Sequence, residues 1–158
     1  QRWMRPAVLR RATRLWMPLG KRVIIIGADL AALELAEFLA ARSRHVGILE
    51  TGDRLAPAVG MKRRDEHMLN LDRAKIAINT GVCIDRIERD AVVRLRASGL
   101  EHRVPTDNVI LAGEGKPDTK LFDALRERVS ELHAVGDCTG LGLIHKATLD
   151  GARVASAL

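Results

Sequence analysis

The stretch Lys21–Glu50, KRVIIIGADLAALELAEFLAARSRHVGILE, reads as one complete strand, turn, helix, strand unit. Val23 to Ile26 is a run of four β-branched residues, short enough for a strand buried on both faces of a parallel sheet. A glycine follows at once. Leu30 to Arg42 is then a helical segment free of Pro and Gly, and His45 to Glu50 returns as a second strand ending in an acid. Glu50 lies 23 residues after Gly27, close to the spacing of a dinucleotide-binding βαβ unit. There a pyrophosphate sits on the helix N-terminus, where unpaired N–H groups and the helix dipole favour an anion. The turn residues Gly27, Ala28, Asp29, Leu30 and Ala32 are therefore candidate cofactor contacts, and Glu50 is the candidate acceptor for the adenosine ribose. An acid at that point favours NAD(H) over NADP(H), because a 2′-phosphate meets a like charge; Arg54, close by in sequence, works against that preference.

The glycine pattern departs from its usual form in one specific way. Three glycines are expected at 27, 29 and 32, and the chain has Gly27, Asp29 and Ala32. Ala32 is an accepted variant. Asp29 puts a side chain and a negative charge where backbone must approach the pyrophosphate. Two unit charges about 4 Å apart at an effective dielectric of ~20 repel by roughly 4 kcal/mol. Asp29 is equally a good N-cap for a helix starting at Leu30, and as such it fills the anion site with the protein's own carboxylate.

Composition narrows the remaining choices. The chain has 158 residues, 47% of them hydrophobic, enough for a real core in one domain or slightly more. Its net charge of +6 is local. Residues 1–22 hold seven basic residues and no acid, so the remainder, with 19 basic and 20 acidic residues, is neutral. No basic face suited to nucleic acid is expected on the body. The acid-free start also carries Trp3, Met4, Leu9, Leu15, Trp16 and Met17, and reads as a basic linker over residues 1–20 or a targeting segment. No apolar run reaches membrane-spanning length. Cys83 and Cys138 form neither a disulfide framework nor a metal pattern, which fits a reducing, cytoplasmic setting. The five histidines have no ligand spacing, and nucleophile elbows and phosphate loops are absent.

Beyond Glu50 the pattern continues in α/β fashion: a loop over 51–60, a polar surface helix over Met61–Lys75, a parallel strand over Ile76–Thr80, and an antiparallel meander from Val82–Glu88 through Val92–Ala97 to Arg103–Val104. Asn108–Ala112 reads as a buried strand, Gly113–Thr119 as a turn, Lys120–Val129 as a short helix, Leu132–Val135 as a last strand and Leu143 onward as a closing helix. The expected fold class is α/β: a Rossmann-like, three-layer dinucleotide-binding domain with a central parallel sheet and a small antiparallel β-meander.

Four separated blocks, KRVIIIGADLAALELAEFLA, ILETGDRLAP, NVILAGEGKPDTKL and HAVGDCTG…DGARVA, resemble in order the C-terminal part of the NADH:flavin oxidoreductases of the 2,4-dienoyl-CoA reductase type, related to Old Yellow Enzyme and to trimethylamine and histamine dehydrogenases. The resemblance covers residues 18–158. It implies an NAD(P)H-binding-like domain over residues 21–129 and a return segment of an FAD-binding-type domain over residues 130–158. It further implies that Gly136 and Asp137 match a flavin-contacting Gly-Asp pair, and that Gly113 and Gly115, which flank Glu114, belong to a block close to the bound nucleotide. Glu114 stands where that block usually has glycine. By the same resemblance FMN, an iron–sulfur cluster and most of the FAD site belong to other parts of a parent flavoenzyme, and this fragment alone is inactive. The expected partners are a dinucleotide, the remainder of the parent flavoenzyme and a possible second copy in a homo-oligomer. A degenerate structural or electron-transfer docking domain that no longer uses NAD(P)H is the alternative.

Overall fold

The computed structural model describes residues 6–95, 98–113 and 115–157; expectations on Trp3, Met4, Ala97 and Glu114 lie outside them. The chain divides into two compact units, Gln1–Gly113 and Glu114–Leu158. The first contains helix α1 (Pro6–Leu15), strand β1 (Arg22–Ile26), helix α2 (Leu30–Ala40), strand β2 (His45–Leu49), helix α3 (Met61–Arg73) and strands β3 (Ala77–Asn79), β4 (Cys83–Ile87), β5 (Ala91–Leu95), β6 (Glu101–Pro105) and β7 (Asn108–Leu111). Its main sheet is parallel in the order β3-β2-β1-β7, with Ile25 opposite Ile48 on one side and Ile110 on the other. Strands β4, β5 and β6 form a separate antiparallel meander.

Strand alternation builds the three layers. Val23 and Ile25, with Val46 and Ile48, turn to the helices and meet Ala32, Leu33 and Ala36 of α2 and Leu71 of α3. Ile24 and Leu49 turn the other way, to Val82 and Val92, with Val104 and Val109 packed around them. The run VIII is thus buried from both sides, as a central parallel strand requires. Ala32 and Ala36 are fully buried, and their small side chains let α2 lie close on the sheet. At Gly47 a Cβ would stand 2.8 Å from Ile24 Cδ1, so this glycine makes room for its neighbour across the ladder.

Helix α3 lies on the outside as its polarity predicts, held by fully buried Leu71. His67 is buried too, its Nδ1 2.6 Å from Glu37 Oε1 of α2. A carboxylate only accepts, so Nδ1 carries the proton.

The structure departs from the sequence reading at three points. Pro6–Leu15, within the predicted linker, is helical, with Pro6 at the first helical position, where a missing N–H costs nothing. Asn108–Ala112 reads as a buried strand, but among the described residues β7 is an edge strand, and its residues are only partly buried or exposed. Leu132–Val135 is not a strand: Val135 has extended backbone (φ −137°, ψ 151°), but no described segment pairs with it, and a strand exists only through its ladder.

The second unit contains helix α4 (Lys120–Leu125), a 3₁₀ turn at Gly136–Thr139 and helix α5 (Leu143–Ala155). None of its described residues is buried, and Ile144 is 84% exposed.

Gly27→Ala tests the packing of the first turn. Gly27 has φ +104°, and a Cβ there would lie 2.4 Å from the carbonyl oxygen of Ala112. The substitution should cost about 2 kcal/mol or more, combining left-handed strain with a backbone clash. Gly113→Ala, where a Cβ would meet nothing within 4 Å, should stay within about 0.5 kcal/mol of the natural chain in urea unfolding.

Candidate dinucleotide site

The β1–α2 turn is wedged between neighbouring strand ends at the carboxyl edge of the sheet. Gly27 N–H donates to Leu49 O at 2.9 Å, and Ala112 N–H donates to Ile26 O at 2.8 Å. The sheet order reverses direction at β1, with β2 on one side and β7 on the other, which is where open α/β sheets leave a ligand crevice. Ala28, buried, accepts from Ala56 N–H at 2.6 Å, pinning the loop after β2 to the turn.

Asp29 caps α2. Its backbone is extended (φ −74°, ψ 180°), Oδ1 accepts from Ala32 N–H at 2.8 Å, and its carbonyl accepts from Leu33 N–H at 3.1 Å. The amides of Leu30 and Ala31 have no partner among the described residues. The helix N-terminus therefore keeps open donors while a carboxylate already holds one of them.

Glu50 follows β2 directly, its amide donating to Asn79 O at 2.9 Å. Its Oε1 accepts from Gly52 N–H at 2.7 Å and from Thr51 Oγ1 at 3.3 Å, so one carboxylate oxygen is turned onto its own loop. Arg54 is 75% exposed, with Asp53 3.9 Å away. Gly113 closes this group at the end of β7. The first unit thus gathers Gly27, Ala28, Asp29, Leu30, Ala32 and Gly113 at or beside the carboxyl edge of its sheet, and the loop pinned to that turn carries Arg54.

Gly115, Gly136 and Asp137 belong to the second unit. A Cβ at Gly115 would lie 3.4 Å from Leu141 Cδ1; Gly136 has φ +77° and opens the 3₁₀ turn ahead of exposed Asp137. A polar clasp missed in the sequence holds this turn. Lys146 Nζ donates to Asp150 Oδ2 at 2.5 Å, to Gly136 O at 3.1 Å and to Thr139 Oγ1. Asp150 Oδ2 also accepts from Thr139 Oγ1 at 2.8 Å and Gly136 N–H at 3.3 Å. The Lys146 ammonium, then the Thr139 hydroxyl, hold the Asp150 carboxyl below the usual aspartate range. Its signal was present as an i,i+4 Lys–Asp pair on a predicted helix.

Residues 6–151 match the family described as pyridine nucleotide-disulphide oxidoreductase. The chain belongs to that family. It is 27% identical over 143 residues to bilirubin reductase of Mediterraneibacter gnavus (strain CC55_001C), covering 90% of this chain and 22% of the relative. It is 25% identical over 136 residues to NADH oxidase of Thermoanaerobacter brockii, covering 85% and 21%. The structure of a 2-naphthoyl-CoA reductase complexed with 2-naphthoyl-CoA superposes with a TM-score of 0.78 at 26% identity, covering 90% of this chain and 22% of that one. The chain thus spans about a fifth of the length of these oxidoreductases, as a flavin oxidoreductase-type dinucleotide-binding region.

The Asp150 clasp gives a pH expectation. A depressed folded-state value means that the carboxylate stabilises the turn above its unfolded value, near 3.9, and that this contribution is lost as pH falls through the lower folded value. In an NMR titration the Gly136 and Thr139 resonances should move with a midpoint below 3.9, and Asp150→Asn should abolish that step. A midpoint at or above the ordinary value contradicts the clasp.

Proposed function

We propose that the chain is the dinucleotide-binding domain of a flavin-dependent oxidoreductase, holding NAD(P)H so that its hydride passes to a flavin borne by the remainder of a longer polypeptide. The observation that carries this reading is the Gly27 turn, closed against the Ala112 carbonyl at the point where the sheet order reverses. Its backbone fits a pyrophosphate through the amides of Leu30 and Ala31 at the start of an 11-residue helix. The nicotinamide supplies the hydride; the chain supplies position and electrostatics. Gly27 allows close approach, Glu50 offers its second oxygen to the ribose, and Gly113 leaves open space beside the nucleotide. In this reading residues 21–129 serve the nicotinamide nucleotide. Residues 130–158, with Gly136 and Asp137, return to an FAD-type domain whose other parts, with FMN and an iron–sulfur cluster, lie elsewhere in the parent enzyme. The chain alone then turns over no substrate.

One observation favours a second reading. Asp29 already takes the Ala32 amide, as expected of a docking or electron-transfer domain that has given up NAD(P)H while keeping the fold. Calorimetry with NADH separates the two. Asp29→Gly should raise affinity, by up to about three orders of magnitude if the ~4 kcal/mol repulsion is fully relieved, and lower stability by a few tenths of a kcal/mol. Tight binding by the natural chain, or none by the variant, contradicts the role given to Asp29. Glu50→Ala should weaken NADH by roughly 1 to 3 kcal/mol and NADPH by less; unchanged NADH affinity moves the adenosine site elsewhere.

A further inference from the structure

Helix α1 carries charge and apolar surface that the described residues leave unmatched. Arg10, Arg11 and Arg14 fall on one side of the helix, and Val8, Ala12 and Leu15, spaced i, i+4 and i+7, form an apolar stripe beside them. All six are exposed, Leu15 by 91%, and so is Trp16 just past the helix, by 73%.

The helix is held from behind. Arg42 Nε donates to Thr13 Oγ1 at 3.0 Å and Arg42 Nη2 to Arg10 O at 3.3 Å, while Met17 and Leu19 pack on the core. Thr13 lies two residues from both Arg11 and Leu15, which in an α-helix sets those two on the far side, facing outward. Arg42 itself lies 3.4 Å from the centroid of the Phe38 ring and donates to Phe38 O at 2.9 Å. Its bonds thus go to neutral oxygens, and no acid pairs with it or with Arg10, Arg11 or Arg14 among the described residues. Burial, then the charges of Arg14 and Arg10, lower the Arg42 guanidinium from its ordinary value. Four guanidinium groups therefore stand together without a counter-ion from the protein.

We propose that α1 lies flat on an anionic phospholipid surface, with Leu15, Val8 and Trp16 entering the boundary between headgroups and acyl chains and the flanking arginines meeting lipid phosphates. Two features of the helix carry the choice of partner. Residues 1–22 hold seven basic residues and no acid, which complements a negative surface. The uncovered apolar stripe beside the arginines needs an apolar layer beneath the anionic one, which a bilayer offers and an acidic polypeptide or a nucleic acid does not. Tryptophan suits that boundary because its ring is apolar and its N–H polar. With one 10-residue helix, the binding is weak, reversible and screened by salt. It is independent of the nucleotide site, which uses other elements.

The test cosediments the intact chain, at low salt, with vesicles of phosphatidylcholine alone and of phosphatidylcholine mixed equally with phosphatidylglycerol, and follows tryptophan emission. Binding to the mixed vesicles is expected to exceed that to the neutral ones by about tenfold or more, with emission moving to shorter wavelength. Replacing both Arg11→Gln and Arg14→Gln should weaken it by about tenfold or more, and Leu15→Ser should weaken it several-fold. These side chains are exposed, so the urea midpoint should not move in either variant. Equal binding to the two vesicle types, binding to neither, or affinity unchanged in the double arginine variant overturns the proposal. So does binding to polyglutamate or duplex DNA without binding to the mixed vesicles, which would give the arginines to another polyanion.

Discussion

The contact of Gly27 with the Ala112 carbonyl is the constraint on which the rest of the first unit depends. With a Cβ absent and φ at +104°, the chain leaves β1, turns over the end of β7 and starts α2 within three residues. Beyond that turn the helix lies on the sheet with Ala32 and Ala36 fully buried between them. The turn also offers Ala28 O as the anchor for the loop after β2, so Arg54 and Leu55 are placed by the same turn. A backbone built for close approach thus organises both the fold and the candidate site.

The electrostatics of that turn run against its geometry. Helix N-termini favour anions, and this one has acquired a carboxylate of its own, bonded to the Ala32 amide. A dinucleotide must displace it or lie alongside it. Cationic groups stand instead on the next loop and helix, where Arg54 and Arg64 lack firm acid partners among the described residues.

The legible parts of this protein were those specified by short-range pattern. The four β-branched residues Val23–Ile26, the helix from Leu30 and the acid at Glu50 follow from periodicity and spacing, and they place the parallel core in the sequence. Asp29 was legible as an N-cap because capping needs only the residue and the three amides after it. What depended on long-range pairing was not. Leu132–Val135 has strand composition but no described partner, and β7 lies at the edge, a place that a single sequence does not encode. Arg64 sits in a run of basic residues, Lys62–Arg64, that reads as a solvated face; only packing distinguishes the half-buried member from its paired neighbour.

In the proposed function the Gly27–Ala32 turn receives a dinucleotide in competition with Asp29. Amide NMR of the intact chain with millimolar NADH tests it most directly. The largest shifts should fall on Gly27 and on Leu30 to Ala32, with smaller ones on Glu50 to Gly52, and the Ala32 shift should grow in Asp29→Gly at the same NADH concentration. Shifts confined to residues outside this turn and the loop after β2, or none in either form, would contradict it.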